Sequence, residues 1–297
     1  MAPHGNRRAP VVAPVAFGTA ELRPDLARPQ GWTVFVDGVE QSYVDLADPC
    51  HLAFPYIRRL AAVLDATAPG GVPLTVLHLG GGGLTLPRYV AASRPGSTQR
   101  VVERDAELLA LVTQALPPPP GVVLEVGDAR RAVEDGAPRR PDGPDSGPRD
   151  EPDGGSGAGE HGGPDGYDVI VVDVFDGARM PDSVAGVGFA AAVARLLRPG
   201  GLLGVNLTDL PPLAHCRIQA ATLRAVFDDV GLIAGTGMLR GRRAGNVVLV
   251  AGRAAGDVPV RRLAAAVARD AEPARLLHGT DLAAFVAGAR ARLDTPN

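Results

Sequence analysis

Apolar runs alternate with helix-like patterns along most of the chain from residue 74 onward. Seven runs predict strands, because unbroken apolar character is typical of strands that are covered on both faces. They are 74–79, 99–103, 122–126, 167–175, 202–207, "GLIAGTG" and "NVVLVAG". The link between the last two is too short for a helical crossover, so they are expected to pair antiparallel. The pattern predicts an α/β fold with a mostly parallel seven-stranded sheet and an antiparallel last strand.

The residues before this sheet have a different pattern. Residues 1–30 are rich in Pro and Arg and show little periodicity. This predicts a flexible tail over 1–20 and order towards the end of the stretch. Two β-rich runs then flank Asp37-Gly38, a residue pair that suits a tight type I′ turn. The sequence therefore predicts a β-hairpin over 32–36 and 39–45.

A helix is predicted after the hairpin, because Leu52, Tyr56, Leu60 and Leu64 recur at helical spacing. Hairpin and helix together make an N-terminal region over 21–66, followed by the α/β domain over 67–257. Residues 134–166 contain many Gly, Pro and Asp and few apolar side chains, which predicts a disordered insertion. The Ala/Arg-rich residues 258–297 predict a helical tail.

Composition excludes several classes of function. The formal net charge is −3 and all 30 basic residues are arginine, so neither Schiff-base chemistry nor a phosphate-loop lysine is available. No basic block favours nucleic acid or an anionic membrane as a partner. The two cysteines, Cys50 and Cys216, form no metal or disulfide motif. We expect a cytoplasmic protein without a metal.

Four glycines follow the first predicted strand in "LHLGGGGLTLPRY". Gly80, Gly81 and Gly82 lie where open α/β sheets bind ligands, and glycine lets the backbone approach a nucleotide-like molecule. The spacing is not G-x-G-x-x-G, and the alternative is a tight strand-to-helix turn.

Acidic residues follow the next two strands. Glu103 ends the second strand, where a carboxylate can accept hydrogen bonds from ribose hydroxyls or can simply face solvent. Asp128 follows the third strand, where it can contact an adenine amino group, cap the next helix, or do both.

The fourth strand ends in "DVFDG", which places Asp173 and Asp176 at the mouth of the same crevice. A carboxylate there can bind a cationic amine and accept its proton, whereas the alternative is turn chemistry. His78 is predicted to pack in the core. The arginines of Arg58-Arg59 and of "RGRR" (240–243) are predicted to be solvated.

The order of the glycine turn, "VVERD", "VGDA" and "YDVIVVDVFD", after a hairpin ending "DGVEQSYVDL", resembles the spermidine synthase (polyamine aminopropyltransferase) family. The resemblance runs from about residue 20 to 255. It implies the Rossmann-like fold of AdoMet-dependent methyltransferases, and transfer of an aminopropyl group from decarboxylated AdoMet to putrescine. It also implies a homodimer.

The resemblance assigns roles to particular residues. Glu103 would hold the ribose, and Asp128-Ala129 the adenine. Asp173 would take the proton from the attacking amine. The remaining matches, Asp176, Gln41 and Tyr56, would bind the amine substrate.

Two departures from the family's pattern leave other functions open. The family's turn reads Gly-Gly-Gly-Asp-Gly, with the Asp on the donor's amine, and this chain has Gly83 at that position. Its fourth-strand motif reads Asp-Ser-Ser/Thr-Asp-Pro, where this chain has Val174, Phe175 and Gly177. Ordinary AdoMet carries a carboxylate that Gly83 would tolerate. An AdoMet-dependent methyltransferase and a catalytically degenerate nucleoside-binding homologue are therefore alternatives.

Overall fold

The computed structural model describes residues 8–136, 166–177 and 179–294. Its strands are β1 (Val11–Val15), β2 (Gly18–Pro24), β3 (Gly31–Val36), β4 (Val39–Asp45), β5 (Thr75–Leu79), β6 (Thr98–Glu103), β7 (Val122–Val126), β8 (Tyr167–Val172), β9 (Leu197–Asp209), β10 (Asp229–Gly235), β11 (Gly245–Gly252) and β12 (Ala274–His278). Its α-helices are α1 (Pro55–Thr67), α2 (Thr85–Ser93), α3 (Ala106–Ala115), α4 (Ala129–Glu134), α5 (Val187–Leu196), α6 (Ala214–Arg224), α7 (Thr236–Leu239), α8 (Val260–Ala268) and α9 (Gly279–Val286). Residues 137–165 of the predicted insertion lie outside the described residues, whereas Glu134 ends α4.

Among the described residues, eight strands form one sheet in the order β12-β10-β11-β9-β8-β5-β6-β7. The strands from β7 to β9 in this order run parallel. Strand β11 lies antiparallel between β9 and β10. The predicted α/β fold, with a mostly parallel sheet and an antiparallel last strand among the seven predicted ones, is confirmed.

The predicted number of seven strands is wrong, because β12 pairs antiparallel with the outer edge of β10. The C-terminal residues are therefore not purely helical. Ala, Arg and Leu favour helices in isolation, but the edge of β10 offers unpaired backbone groups to "ARLLH".

The N-terminal region is a four-stranded antiparallel sheet, β1-β2-β3-β4, and therefore larger than a hairpin. The predicted hairpin is present as β3 and β4, with positive φ at Asp37 (49°) and Gly38 (76°). The prediction of a flexible tail is wrong for Val11 onward, because β1 pairs with β2. Strand β1 is an exposed edge strand, where Pro14 is tolerated and no apolar alternation is needed.

Two helices and the N-terminal sheet position the crevice. Helix α1 covers the sheet face formed by Val169, Val171 and other apolar residues of β8, β9 and β11. The N-terminal sheet packs on the glycine turn and on α3, through Val34, Val44 and Leu84 among others. The carboxyl ends of β5, β6 and β8 therefore open beneath the N-terminal sheet. Within the described ranges, the helices are too short or too polar to cross a membrane.

Candidate active site

The glycine turn joins β5 to α2 and passes directly under the end of β8. Gly80 has φ +95°, and a Cβ at that position would collide with the backbone carbonyl oxygen of Asp173. The backbone N–H of Asp173 donates to the carbonyl of Leu79 (2.8 Å), which ties the two strand ends together. Glycine is required at position 80 because only it permits both this φ and this close approach.

Glu103 lies against the glycine turn. Its Oε2 accepts hydrogen bonds from the backbone N–H groups of Gly81 (2.8 Å) and Gly82 (3.3 Å). Its Oε1 accepts from the N–H of Asp105 (3.0 Å). These bonds hold the carboxylate at the carboxyl end of β6, on the floor of the crevice.

Asp128 is the N-cap of α4, and its side chain accepts from the N–H of Arg131 (3.0 Å). Capping, one of its two predicted roles, is confirmed. Asp128 is exposed, whereas Ala129 is buried against the core. Both residues follow β7, two strands away from β5.

Asp173 follows β8 and accepts a 2.8 Å hydrogen bond from the side-chain amide of Asn206. Burial raises the pKa of Asp173 to about 6, the Asn206 bond lowers it, and the nearby charge of Glu103 raises it. A carboxyl with this pKa can both accept and release a proton near neutral pH.

Tyr56 and Gln41 meet next to Asp173. The Tyr56 hydroxyl donates to the backbone carbonyl of Gln41 (3.2 Å), which joins the start of α1 to β4. Burial and the charge of Asp173 both raise the pKa of Tyr56. The three residues therefore converge from the N-terminal sheet, α1 and β8.

Asp176 lies apart from this group. Its side chain is 69% exposed and pairs with Arg104 (3.3 Å). The guanidinium of Arg104 also stacks 3.9 Å from the Phe17 ring and donates to the carbonyl of Phe175 (3.2 Å). Arg104 thus links the tip of the β1–β2 hairpin to the loop after β8.

Gly83 is buried beneath the N-terminal sheet. Its N–H donates to the Ser42 hydroxyl (3.0 Å), and a Cβ here would lie 2.9 Å from Ser42 Cβ. Methyl groups of Val44 and Val34 would lie 3.2 and 3.3 Å away. A side chain at position 83 would therefore point into the N-terminal sheet and collide with these three residues.

Two asparagines in the site were not predicted from the sequence. Asn206 is buried within the apolar run "LLGVNL" of β9, and its side-chain oxygen accepts from the Asn246 amide of β11 (3.1 Å). A polar side chain inside a buried strand is costly unless it is paired. The asparagine in "LLGVNL" could therefore have been identified from the sequence as a residue with a buried polar partner.

Arg59 contradicts the prediction of a solvated Arg58-Arg59 pair. Its relative exposure is 3%, and its Nη1 donates to the carbonyl of Asn246 (3.0 Å). Position 59 lies one turn after Tyr56 on the face of α1 that meets the sheet, and charge alone did not show this orientation.

His78 is buried, as predicted, and its Nε2 lies 2.9 Å from the Gln99 side-chain oxygen. Burial lowers the pKa of His78 to about 4. Among the described residues, no three His, Cys, Asp or Glu side chains lie close enough together to hold a metal ion.

Solved structures resemble this chain over most of its length. A probable spermidine synthase from Corynebacterium glutamicum ATCC 13032 has a TM-score of 0.81 and 29% sequence identity, and the match covers 98% of each chain. The spermidine synthase from Thermotoga maritima has a TM-score of 0.54 and 13% identity, with coverage of 93% of this chain and 83% of that one. A spermidine synthase in complex with the transition-state analogue AdoDATO gives the same four values.

No protein-family model and no curated protein matches the sequence. The likeness to the C. glutamicum structure includes the N-terminal sheet as well as the α/β domain, since it covers nearly the whole chain. Over nearly its whole length, the chain is therefore similar in fold to a probable spermidine synthase.

Proposed function

We propose that the protein is an alkyl transferase that moves an aminopropyl group from decarboxylated AdoMet to an amine acceptor such as putrescine. The observation that carries this proposal is the position of Asp173. Its carboxyl has a pKa near 6 and lies between the glycine turn and Tyr56. The likeness to the probable spermidine synthase of C. glutamicum supports a transferase of this type.

The crevice suits a nucleoside donor. Three backbone N–H groups occupy Glu103, and a carboxylate offers about four lone pairs, so one position remains for a ribose hydroxyl. Asp128 and Ala129 would hold the adenine at the end of β7. The spermidine synthase that binds AdoDATO has a similar fold, which supports an AdoMet-type molecule in this place.

The chemistry needs a neutral amine, because the nitrogen of an ammonium ion has no free lone pair. Asp173 would first attract the ammonium group and then accept one of its protons. The amine nitrogen would form a bond to the carbon beside the sulfonium while the carbon–sulfur bond breaks. The bonding electrons would move to sulfur, which leaves as neutral methylthioadenosine.

Electrostatics supports a cation in this crevice. The charge of Glu103 raises the pKa of Asp173, so the two carboxyls repel each other when both are ionised. A sulfonium or ammonium ion between them would relieve that repulsion. Binding of the donor is therefore expected to lower the pKa of Asp173 and to favour its action as a base.

A methyltransferase is the second candidate, and the observation in its favour is Gly83. The turn presents no carboxylate to a donor's amino group, so the carboxylate of ordinary AdoMet would meet no acid from this position. Arg104, the residue after Glu103, could offer its guanidinium to that carboxylate in exchange for its 3.3 Å bond to Asp176.

The two candidates are separated by measuring binding and product for AdoMet, decarboxylated AdoMet and methylthioadenosine, with putrescine as the acceptor. Aminopropyl transfer predicts methylthioadenosine release from the decarboxylated donor only. Tight binding of AdoMet without a response to the decarboxylated donor would support the methyltransferase instead. Nucleoside binding without any product would identify a degenerate homologue.

A further inference from the structure

A strip of polar side chains crosses the top of the sheet from Asp173 to Arg59. Asp173 accepts from Asn206 (2.8 Å), and Asn206 accepts from Asn246 (3.1 Å). The carbonyl of Asn246 accepts from Arg59 (3.0 Å). Asp173 directly follows β8, and the other three residues lie on β9, β11 and α1. The strip therefore has a carboxyl at one end and a guanidinium at the other.

All of these side chains lie on the same side of the sheet. Side chains of a strand alternate between its faces, and Val171, Leu202 and Val248 belong to the apolar cluster under α1. Asp173, Asn206 and Asn246 are each an even number of residues from one of these positions. Tyr56 and Arg59 of α1 lie over this face, which makes the strip the continuation of the Asp173 site.

The guanidinium of Arg59 is buried without a carboxylate partner among the described residues. Among the described residues, its Nη1 donates to the carbonyl of Asn246, whereas Nε is buried without a hydrogen-bond acceptor. A planar Nε–Nη2 edge is the edge of arginine that binds a carboxylate through two parallel hydrogen bonds.

The acids near Arg59 are engaged with other arginines. Asp270 pairs with Arg58 (2.8 Å), and Glu272 pairs with Arg243 (3.0 Å). Burial lowers the pKa of Arg59 while Asp270 and Glu272 raise it, and a guanidinium remains charged in proteins. A buried, unpaired cation is costly to a fold, and a bound anion would offset that cost.

We propose that Arg59 binds a carboxylate on the far end of the acceptor. The acceptor would then carry a primary amine at Asp173 and a carboxylate at Arg59, as in an ω-amino acid. Strands β8 and β11 lie two strand spacings apart, about 10 Å, and Arg59 contacts β11. This spacing suits an amine and a carboxylate separated by a short aliphatic chain. A diamine would instead place its second ammonium group against the guanidinium.

This inference rests on the proposed function, since it names the acceptor of the same transfer. The probes are 4-aminobutanoate and 5-aminopentanoate, compared with the diamine putrescine. Affinity is measured by calorimetry on the full chain with methylthioadenosine bound, and transfer is measured with decarboxylated AdoMet. We expect each amino acid to bind at least ten-fold more tightly than putrescine and to be the better acceptor.

Two substitutions test the guanidinium itself. Arg59→Met keeps the length of the side chain and removes its charge, and is expected to reverse the preference in favour of putrescine. Arg59→Lys keeps the charge but cannot bind a carboxylate through two parallel hydrogen bonds. This variant is expected to retain a weaker preference for the amino acids. Arg261→Met, which makes the same change at an exposed position of α8, is expected to leave the preference unchanged.

The results separate this inference from the proposed function. Equal or tighter binding of putrescine by the unmodified protein would overturn the role of Arg59, while aminopropyl transfer to putrescine would still support the proposed function. Failure of all acceptors to yield methylthioadenosine would overturn the proposed function. Should Arg59→Met not fold, the wild-type affinities and Arg59→Lys decide the matter.

Discussion

The side-chain amide of Asn206 donates a 2.8 Å hydrogen bond to Oδ1 of Asp173. Burial and the charge of Glu103 raise the pKa of Asp173, and this bond is the interaction that lowers it, leaving a pKa of about 6. The bond crosses from β9 to β8, so a residue outside every recognised motif helps to set the protonation state of the proposed base.

The pH profile is expected to depend on this bond. An acceptor amine can be deprotonated only by ionised Asp173, so kcat/KM of the wild type should fall as the pH drops below about 6. Asn206→Ala removes the bond and should move the acid limb of the profile to higher pH. Thr113→Ala, which removes a local side-chain hydrogen bond within α3, is the control. An acid limb that does not move in Asn206→Ala would contradict this relationship.

Asp173→Asn is expected to reduce kcat by about 10²- to 10⁴-fold, the usual contribution of a general base. Binding of methylthioadenosine should change little, because the glycine turn and Glu103 are untouched. Calorimetry measures the binding and release of methylthioadenosine measures the rate. Asp228→Asn makes the same chemical change at an exposed residue beside β10, and should have no effect. Unchanged turnover in Asp173→Asn would rule out its role as the base.

The strands and helices of the central sheet could be predicted because each one follows from a local sequence pattern. Buried strands and their helices are visible as apolar runs, and the glycine turn, Glu103, Asp128 and Asp173 each follow a strand end. The edge strands were not predictable in this way. Strands β1 and β12 are formed mainly by backbone pairing with β2 and β10, and such pairing requires no particular side chains.

The polar strip was missed for a different reason. Asn206, Asn246 and Arg59 are far apart in the sequence and come together only through the strand order and the placement of α1. From the sequence, an arginine at position 59 is expected on the surface, since charged side chains are seldom buried. Its environment is a tertiary property, set by Asn246 and by the two neighbouring ion pairs.

Gly83→Asp is expected to destabilise the protein and not to supply an amine-binding carboxylate. The new Cβ would lie within 3.3 Å of Ser42, Val44 and Val34 side-chain carbons. The carboxylate would then have to leave an apolar contact or remain there unpaired, at an expected cost of about 2 to 4 kcal/mol. Chemical denaturation measures the loss of stability.

Gly70→Asp is the matched control for Gly83→Asp. Gly70 has open space around its Cβ position, so this variant should be near neutral in stability. Gly83→Ala should lie between the two, because it adds the Cβ without the charge. A stable Gly83→Asp protein with improved affinity for decarboxylated AdoMet would show that position 83 faces the donor after all.

His78 is expected to make the fold sensitive to acid. Its pKa falls from 6.5 to about 4 on folding, because burial disfavours the imidazolium ion. As the pH drops from 6.5 towards 4, the unfolded chain binds a proton that the folded chain does not, so stability is lost over that window. The loss is about 2 to 3 kcal/mol by linkage. His78→Gln should remove it, as measured by urea denaturation from pH 4 to 7.5.

Asp173 should oppose this trend in the same range of pH. Its pKa rises from 3.8 to about 6 on folding, so between these values the folded chain holds a proton that the unfolded chain has released. Stability from this group therefore falls as the pH rises from 3.8 to 6, by about 1 to 2 kcal/mol after allowance for its partial exposure. In the wild type, the opposite effects of His78 and Asp173 on the pH dependence of stability should partly cancel.

Replacing either His78 or Asp173 should reveal the pH dependence of stability that comes from the other residue. Asp173→Asn should be more stable than the wild type at pH 7.5 and equally stable near pH 4, because only the ionised carboxyl is penalised by burial. Its stability should rise more steeply with pH than that of the wild type, whereas the stability of His78→Gln should decline. Within the described part of the chain, His78 bonds to Gln99 and Asp173 to Asn206, and the two are not bonded to each other. The double variant should therefore show the sum of both effects and little dependence on pH. A wild-type slope that persists in the double variant would assign the acid response to other groups.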